Sequence, residues 1–310
     1  MAPPVALTIA GSDPSGGAGV QADLKTFSSL GAYGTSVLTA LTAQNTRGVT
    51  GIHPVPADFV RLQLHTLVED VRIDTVKVGM LASAELVQVV TDFVTVHRPQ
   101  RLVIDPVMVA TSGDRLLDED AVDALRALVP HADLVTPNLA EAALLAGSRP
   151  ATDLAAMVAQ GESIRGLGAK RVLVKGGHLT TPGRSTDVLV TAEGAHDIDA
   201  PRVSTRNTHG TGCSLSSAIA ALAPQRDTWQ EAVIDAKAWL TQALRRADEL
   251  HVGHGHGPVH HFHQWWGKAP GDQFPVAGHP ATPGLAGHPA VITAGGSRPD
   301  RSGSGPGYPG

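Results

Sequence analysis

Five short aliphatic runs, each bounded by Gly, Pro or Asp, constrain the fold of this chain more than any other feature. They lie at 5–10 (VALTIA), 74–78 (around TVKV), 101–105 (RLVID), 133–136 (DLVT) and 171–175 (RVLVK). Continuous Val/Ile/Leu runs of this length suit strands buried on both faces, the condition of a parallel sheet. Between and after them, apolar residues recur at helical spacing over 19–30, 57–69, 83–97, 118–129, 139–146, 153–167, 212–223 and 228–249, with a strand-rich interval at 186–203. Alternating strand and helix predicts an α/β domain whose right-handed crossovers cover both faces of a parallel sheet. Ligands of such sheets bind beyond the carboxyl ends of the strands. The segments placed there are GSDPSGG at 11–17, Gly79-Met80, DPVM at 105–108, TPN at 136–138 and KGGH at 175–178.

Composition narrows the partners. Of 310 residues 42% are hydrophobic, enough for a full core, and the formal net charge of −5 with 24 Lys+Arg leaves no basic stripe for nucleic acid or anionic lipid. The start of the chain turns polar too early for a signal peptide, and no stretch approaches the ~18 apolar residues of a membrane span. The single cysteine, Cys213, cannot form an internal disulfide. These features predict a reduced, soluble, cytoplasmic protein with a small-molecule partner. From 267 to 310 the chain carries 11 Gly and 8 Pro, a disordered-tail composition, so the folded domain is expected to span 1–266.

Glycine-rich turns before helices suggest phosphate, and three patterns compete. No GxxxxGK[ST] occurs, which removes the P-loop. Residues 17–22 fit GxGxxA, but the preceding strand ends near Ala10 and no acidic residue lies between Asp23 and Asp58 to hold a ribose. The third pattern is NTHGTGC at 207–213, directly before a helix. There the N–H groups of Gly210, Thr211, Gly212 and Cys213 would converge as an anion hole. A helix start also favours a thiolate, so the Cys213 thiol is expected to have a lowered pKa. Lys175, at a strand end, supplies a phosphate cation; Asp105 and the pair Asn138/Glu141 supply oxygen contacts for Mg²⁺ or its waters. Asn138 and Glu141 also fit a capping box, and the two roles can coexist.

In order and spacing, ALTIAGSDPSGGAGVQADLKTFSSLGAYG, TAQNT, KVGML, VIDPVMVATSG, TPNLAEA, VLVKGGH, NTHGTGC and GHGHGPVHHF resemble the hydroxymethylpyrimidine/phosphomethylpyrimidine kinases of thiamine biosynthesis, within the ribokinase superfamily, over residues 5–266. The resemblance implies a ribokinase-like three-layer α/β/α domain around a central, mostly parallel sheet. It also implies ATP and Mg²⁺, two successive phosphorylations of 4-amino-5-hydroxymethyl-2-methylpyrimidine, first to its monophosphate and then to the diphosphate, and a homodimer. Carried over by position, the pyrimidine pocket falls on Gly11, Asp23, Gln44, Met80 and Val107. Phosphate contacts fall on Lys175, His209 and Thr211, the catalytic turn on Gly210, Gly212 and Cys213 with Lys175, and the metal-water network on Asp105, Asn138 and Glu141. A glutamine amide suits an aminopyrimidine because it presents one donor beside one acceptor. The family carries cysteine where the wider superfamily places an aspartate base.

A pyridoxine/pyridoxal kinase of the same superfamily would use the same pocket. A non-catalytic pyrimidine-binding regulator would show erosion of Lys175, Asp105 or the 210–213 turn, and none is eroded. The closing HVGHGHGPVHHFH holds six of the fifteen histidines. Its spacing matches no closed zinc site, so these histidines are expected to pack; the resemblance places asparagine where this chain has His260.

Overall fold

The computed structural model describes residues 2–108, 121–177, 179 and 183–266. An eight-stranded sheet runs in the order β10-β9-β8-β7-β6-β5-β1-β2. Its strands are β1 (Val5–Ala10), β2 (Tyr33–Leu38), β5 (Thr75–Val78), β6 (Leu102–Ile104), β7 (Leu134–Val135), β8 (Val172–Val174), β9 (Arg184–Thr191) and β10 (Gly194–Pro201). Six are parallel to one another, and β9 and β10 add an antiparallel margin. A separate hairpin pairs β3 (Ala40–Asn45) with β4 (Gly48–Pro54) and carries a register shift at Ala43/Gln44.

Successive strand side chains enter opposite layers, as the two-residue period of a pleat requires. Leu7, Ile9, Leu102 and Ile104 join one apolar cluster with α2 (Ala57–Asp70), α3 (Ala84–His97), α4 (Ala121–Leu128), α5 (Leu139–Ala146) and α6 (Leu154–Gly166). Ala6, Val103, Leu134 and Leu173 join the other, with α1 (Gly19–Ser29), α7 (Thr211–Leu222) and α8 (Trp229–Arg245). The result is the expected three-layer α/β/α domain. Among the described residues no helix is long and apolar enough to cross a membrane.

The five predicted strands are all present, and β2 with the β3–β4 hairpin is additional. TSVLTALTAQN is rich in Thr and Ala and has few large apolar residues, so it carries little strand signal. The strand-rich 186–203 interval is the β9–β10 antiparallel pair. The expectations for His178, for 118–120 at the start of α4 and for the 267–310 tail lie outside the described residues.

Of the six closing histidines only the last three pack: His260, His261 and His263 are buried, with His261 Nε2 2.9 Å from Ser214 Oγ at the start of α7, whereas His251, His254 and His256 are exposed. Among the described residues no group of three His, Cys, Asp or Glu side chains is placed to hold a metal ion by itself.

Candidate active site

A cavity of about 800 Å³ opens beyond the carboxyl ends of the central strands. At one end lie Gly11, Gln44, Met80 and Val107; Asp105, Lys175 and the start of α7 occupy its middle; Ser185, Asp187, Val203 and Leu240 line the other end. Met80 is buried, and a Cβ added to Gly11 would collide with its Cε, so the bare backbone at position 11 makes room for this methionine.

The glycine turn is shaped by close approach. Gly210 caps α7 with φ 74, a left-handed conformation, and a Cβ there would collide with the Gly17 carbonyl oxygen. Thr211 departs from its expected role as a phosphate contact. Its N–H (3.2 Å) and its Oγ1 (2.6 Å) both donate to Thr208 O, so its donors are spent inside the turn. The N–H groups of Gly210, Gly212 and Cys213 meet no acceptor among the described residues, so of the four expected amides only that of Thr211 is spent. A Cβ on Gly212 would stand 3.3 Å from Lys175 Nζ, so the cation and the open amides face the same space.

Lys175 Nζ donates to Asp105 Oδ1 at 2.8 Å and lies 4.0 Å from Glu141 Oε2. Asp105 also accepts from Thr136 Oγ1 (3.3 Å) and Ser216 Oγ (3.1 Å). Burial opposes the charge of Asp105, but the ammonium groups of Lys175 and Lys77 outweigh it and hold the carboxyl below its usual range. Burial pushes Glu141 up to about 7 against the pull of Lys175. Lys175 itself is held above its ordinary value, because Asp105 and Glu141 more than offset its desolvation. The capping box is present: Asn138 Oδ1 accepts from Ala140 N (2.9 Å) and Glu141 N (3.0 Å), and Glu141 Oε2 accepts from Asn138 N (2.8 Å). Both side chains still line the cavity.

Three further sequence expectations are corrected. Asp23 does not line the cavity: it is wholly buried and accepts from Lys77 Nζ (2.9 Å), Thr8 Oγ1 (2.6 Å) and Ser217 Oγ (2.6 Å). The member of this pair that lines the cavity is Lys77, fully buried in β5 and raised above its ordinary pKa because Asp23, Cys213 and Asp105 outweigh its desolvation. His209 spends Nε2 on Asp13 Oδ2 at 2.7 Å and so is not a spare phosphate donor there. The Cys213 thiol is not lowered; burial pushes it up to about 11, against the pull of Lys77. Its residue is half-buried and lines the cavity, and the protein packed around the sulfur removes much of the hydration a thiolate needs.

Sequence reasoning missed Asp13, Lys77 and Asp187. Asp13 stitches the 11–19 loop by accepting from Ser15 N (2.9 Å), Gly17 N (3.2 Å) and Ala18 N (2.8 Å). The signal for Lys77 was visible: a lysine inside TVKV puts a charge in an otherwise apolar buried strand. Asp187 joins Lys237 Nζ (2.7 Å) to Gly176 N (2.9 Å), steadying the residue after Lys175, and depends on a β9–α8 contact that no local pattern encodes.

The family described as phosphomethylpyrimidine kinase matches residues 13–260. A hydroxymethylpyrimidine/phosphomethylpyrimidine kinase of Escherichia coli is 55% identical over 262 residues, covering 84% of this chain and 98% of the relative. A bifunctional thiamine-biosynthesis protein of Geobacter sulfurreducens is 50% identical over 256 residues, covering 82% of this chain and 51% of the relative. Among solved structures, the ADP complex of a pyridoxal kinase from Bacillus subtilis superposes with a TM-score of 0.77 at 34% identity, covering 83% of this chain and 97% of the other.

Proposed function

The chain belongs to the phosphomethylpyrimidine kinase family and is an ATP-dependent kinase of thiamine biosynthesis; from that premise we propose that this one cavity phosphorylates 4-amino-5-hydroxymethyl-2-methylpyrimidine and then its monophosphate. The observation that carries the reading is the convergence of Lys175 with the open amides of Gly212 and Cys213. Phosphoryl transfer proceeds through a loose transition state, so donors and cations aimed at the equatorial oxygens contribute more than a strong base does. Lys175 meets the donor phosphates, and the α7 amides hold the transferring group. At the other end Gln44 pairs with the aminopyrimidine edge while Met80 and Val107 lie against the ring.

Cys213 stands where the acceptor oxygen arrives. With its thiol pushed up to about 11 it is neutral at physiological pH, so it places the hydroxymethyl group rather than resting as a base. Asp105 and Glu141, hard oxygen donors beside the anion hole, fit Mg²⁺, a cation that keeps several of its waters and takes one or two carboxylates; Asn138 lies next to them. When bound, the ion neutralises the nucleotide phosphates. Lys175 holds Asp105 in place for that role.

A homodimer is part of the proposal, supported by exposed Leu41 and Ile52 on the β3–β4 hairpin and by Phe59 and Leu62 on adjacent α2. So are a cytoplasmic location and a 1–266 catalytic domain with a 267–310 tail; truncation after Trp266 should leave turnover and melting temperature unchanged. ADP release measured in parallel with the pyrimidine alcohol, its monophosphate and pyridoxal tests the function. Turnover of the first two is expected, and turnover of pyridoxal alone would overturn it in favour of a pyridoxal kinase.

A further inference from the structure

The Gln44 amide lies between two groups whose own bonds decide how it must face. Its Nε2 is placed 3.5 Å from His209 Nε2, and its Oε1 3.2 Å from Thr42 Oγ1. Each neighbour is already committed. Thr42 Oγ1 donates its single proton to the Ser12 carbonyl oxygen at 2.9 Å, and that oxygen can only accept. Toward Gln44, then, Thr42 has only lone pairs to offer. His209 Nε2 faces Asp13 Oδ2 at 2.7 Å. Desolvation opposes the charge on Asp13, yet His209 and Ser15 hold its carboxyl below the usual range, so it accepts and His209 Nε2 carries the proton. A donor of Gln44 at that position would face another donor.

The oxygen and nitrogen of an amide are told apart by their partners. Both neighbours here ask for the same exchange, with Gln44 oxygen toward His209 and nitrogen toward Thr42. We propose that Asp13, His209 and Thr42 lock the Gln44 amide in this one orientation and so act as the specificity-determining positioning residues for the pyrimidine edge. The proposal rests on the reading that Gln44 pairs with the substrate ring. In the locked state one N–H is given to Thr42 and the other remains for the ligand, while the oxygen, beside a His209 proton already given to Asp13, keeps its lone pairs for the ligand; the acceptor is on the His209 side and the donor on the Thr42 side.

The lock is rigid because each part is held from elsewhere. His209 N donates to Gly257 O at 3.0 Å, which holds its main chain, and Gly17 packs so closely against the ring that a Cβ there would collide with it. Asp13 is pinned by Ser15, Gly17 and Ala18, and Thr42 N accepts no freedom either, donating to Ser12 Oγ at 3.1 Å. The consequence is chemical. A 4-aminopyrimidine presents an amine donor beside a ring-nitrogen acceptor, whereas the 4-oxo analogue presents an acceptor beside an N–H donor. The two differ by a flip of the reading amide, and only a locked amide rejects the second.

The test compares kcat/KM for 4-amino-5-hydroxymethyl-2-methylpyrimidine with that for 5-hydroxymethyl-2-methylpyrimidin-4-one, in the full chain and in His209→Phe, Thr42→Val and Gln44→Ala. A correct bidentate pair discriminates by roughly 10- to 100-fold. In His209→Phe the amino/oxo ratio should fall about 10-fold, through a higher KM for the amino substrate and a lower KM for the oxo analogue, with kcat for the amino substrate changing less. Thr42→Val should move the ratio the same way, and it decides the matter if His209→Phe does not fold. An unchanged ratio in the folded variants, with collapse in Gln44→Ala, overturns the lock and leaves the Gln44 reading standing. An unchanged ratio in Gln44→Ala overturns that reading and the lock with it.

Discussion

The state of the Cys213 thiol is open to direct measurement, because the chain has one cysteine and alkylation reports on it alone. Two effects compete at this sulfur. The start of α7 and the Lys77 ammonium favour a thiolate; desolvation, together with the carboxylates of Asp105 and Asp23, disfavours it. Desolvation wins, moving the thiol from 9.0 to about 11. Two units correspond to roughly a hundredfold loss of thiolate, from about one molecule in ten at pH 8 to about one in a thousand. The assay is iodoacetamide labelling of the folded protein from pH 6.5 to 10.5, followed by intact mass, with the urea-unfolded chain as reference. Limited access lowers the rate at every pH equally, so the shape of the profile is decisive. For the folded chain the rate should still rise tenfold per pH unit at pH 10, while the unfolded chain levels off above pH 9. A folded profile that reaches its plateau by pH 8 would refute the argument and return Cys213 to the role of resident base.

Other outcomes follow from the buried charges. His261 is neutral and buried, its pKa pushed down to about 3, chiefly by desolvation, from 6.5. Its contribution is therefore complete above about pH 6.5 and declines as pH falls toward 3. At pH 5 this amounts to about 2 kcal/mol, or a melting temperature lower by roughly 4–8 °C, and His261→Phe should remove most of that dependence. The Lys77–Asp23 pair is wholly buried at 2.9 Å, so Lys77→Met should cost about 3–5 kcal/mol in urea unfolding. Adding Asp23→Asn should recover part of the loss, since the orphaned charge goes while Thr8 and Ser217 keep a partner.

How much of this was legible in the sequence depended on whether the information was local. The strand runs at 5–10 and 171–175, the helix periods and the glycine turn before α7 are local patterns, and each appears where it was read. The Asn138/Glu141 capping box was likewise a matter of spacing. The β3–β4 hairpin was not legible, since its residues pack little apolar surface and its pairing is decided by tertiary context. Asp23 misled for a different reason: a residue in a site motif can serve the site from behind, and only the packing shows that Lys77 stands between it and the cavity. At Cys213 the helix-start electrostatics were read correctly in sign, but the opposing desolvation depends on how deeply the cavity is enclosed.

The central claim is that the turn before α7 works as an anion hole first and as a holder of a thiol second. Steady-state kcat for Gly212→Val and Cys213→Ala, measured side by side on the pyrimidine alcohol with saturating ATP, tests it most directly. A valine at 212 places its side chain against Lys175 Nζ and beside the open amides, so kcat should fall by about 100-fold or more, the scale of losing an oxyanion donor. Cys213→Ala leaves the amides in place and should lose less, about 10-fold. A Gly212→Val enzyme that turns over normally, or a Cys213→Ala enzyme more damaged than Gly212→Val, would contradict the account.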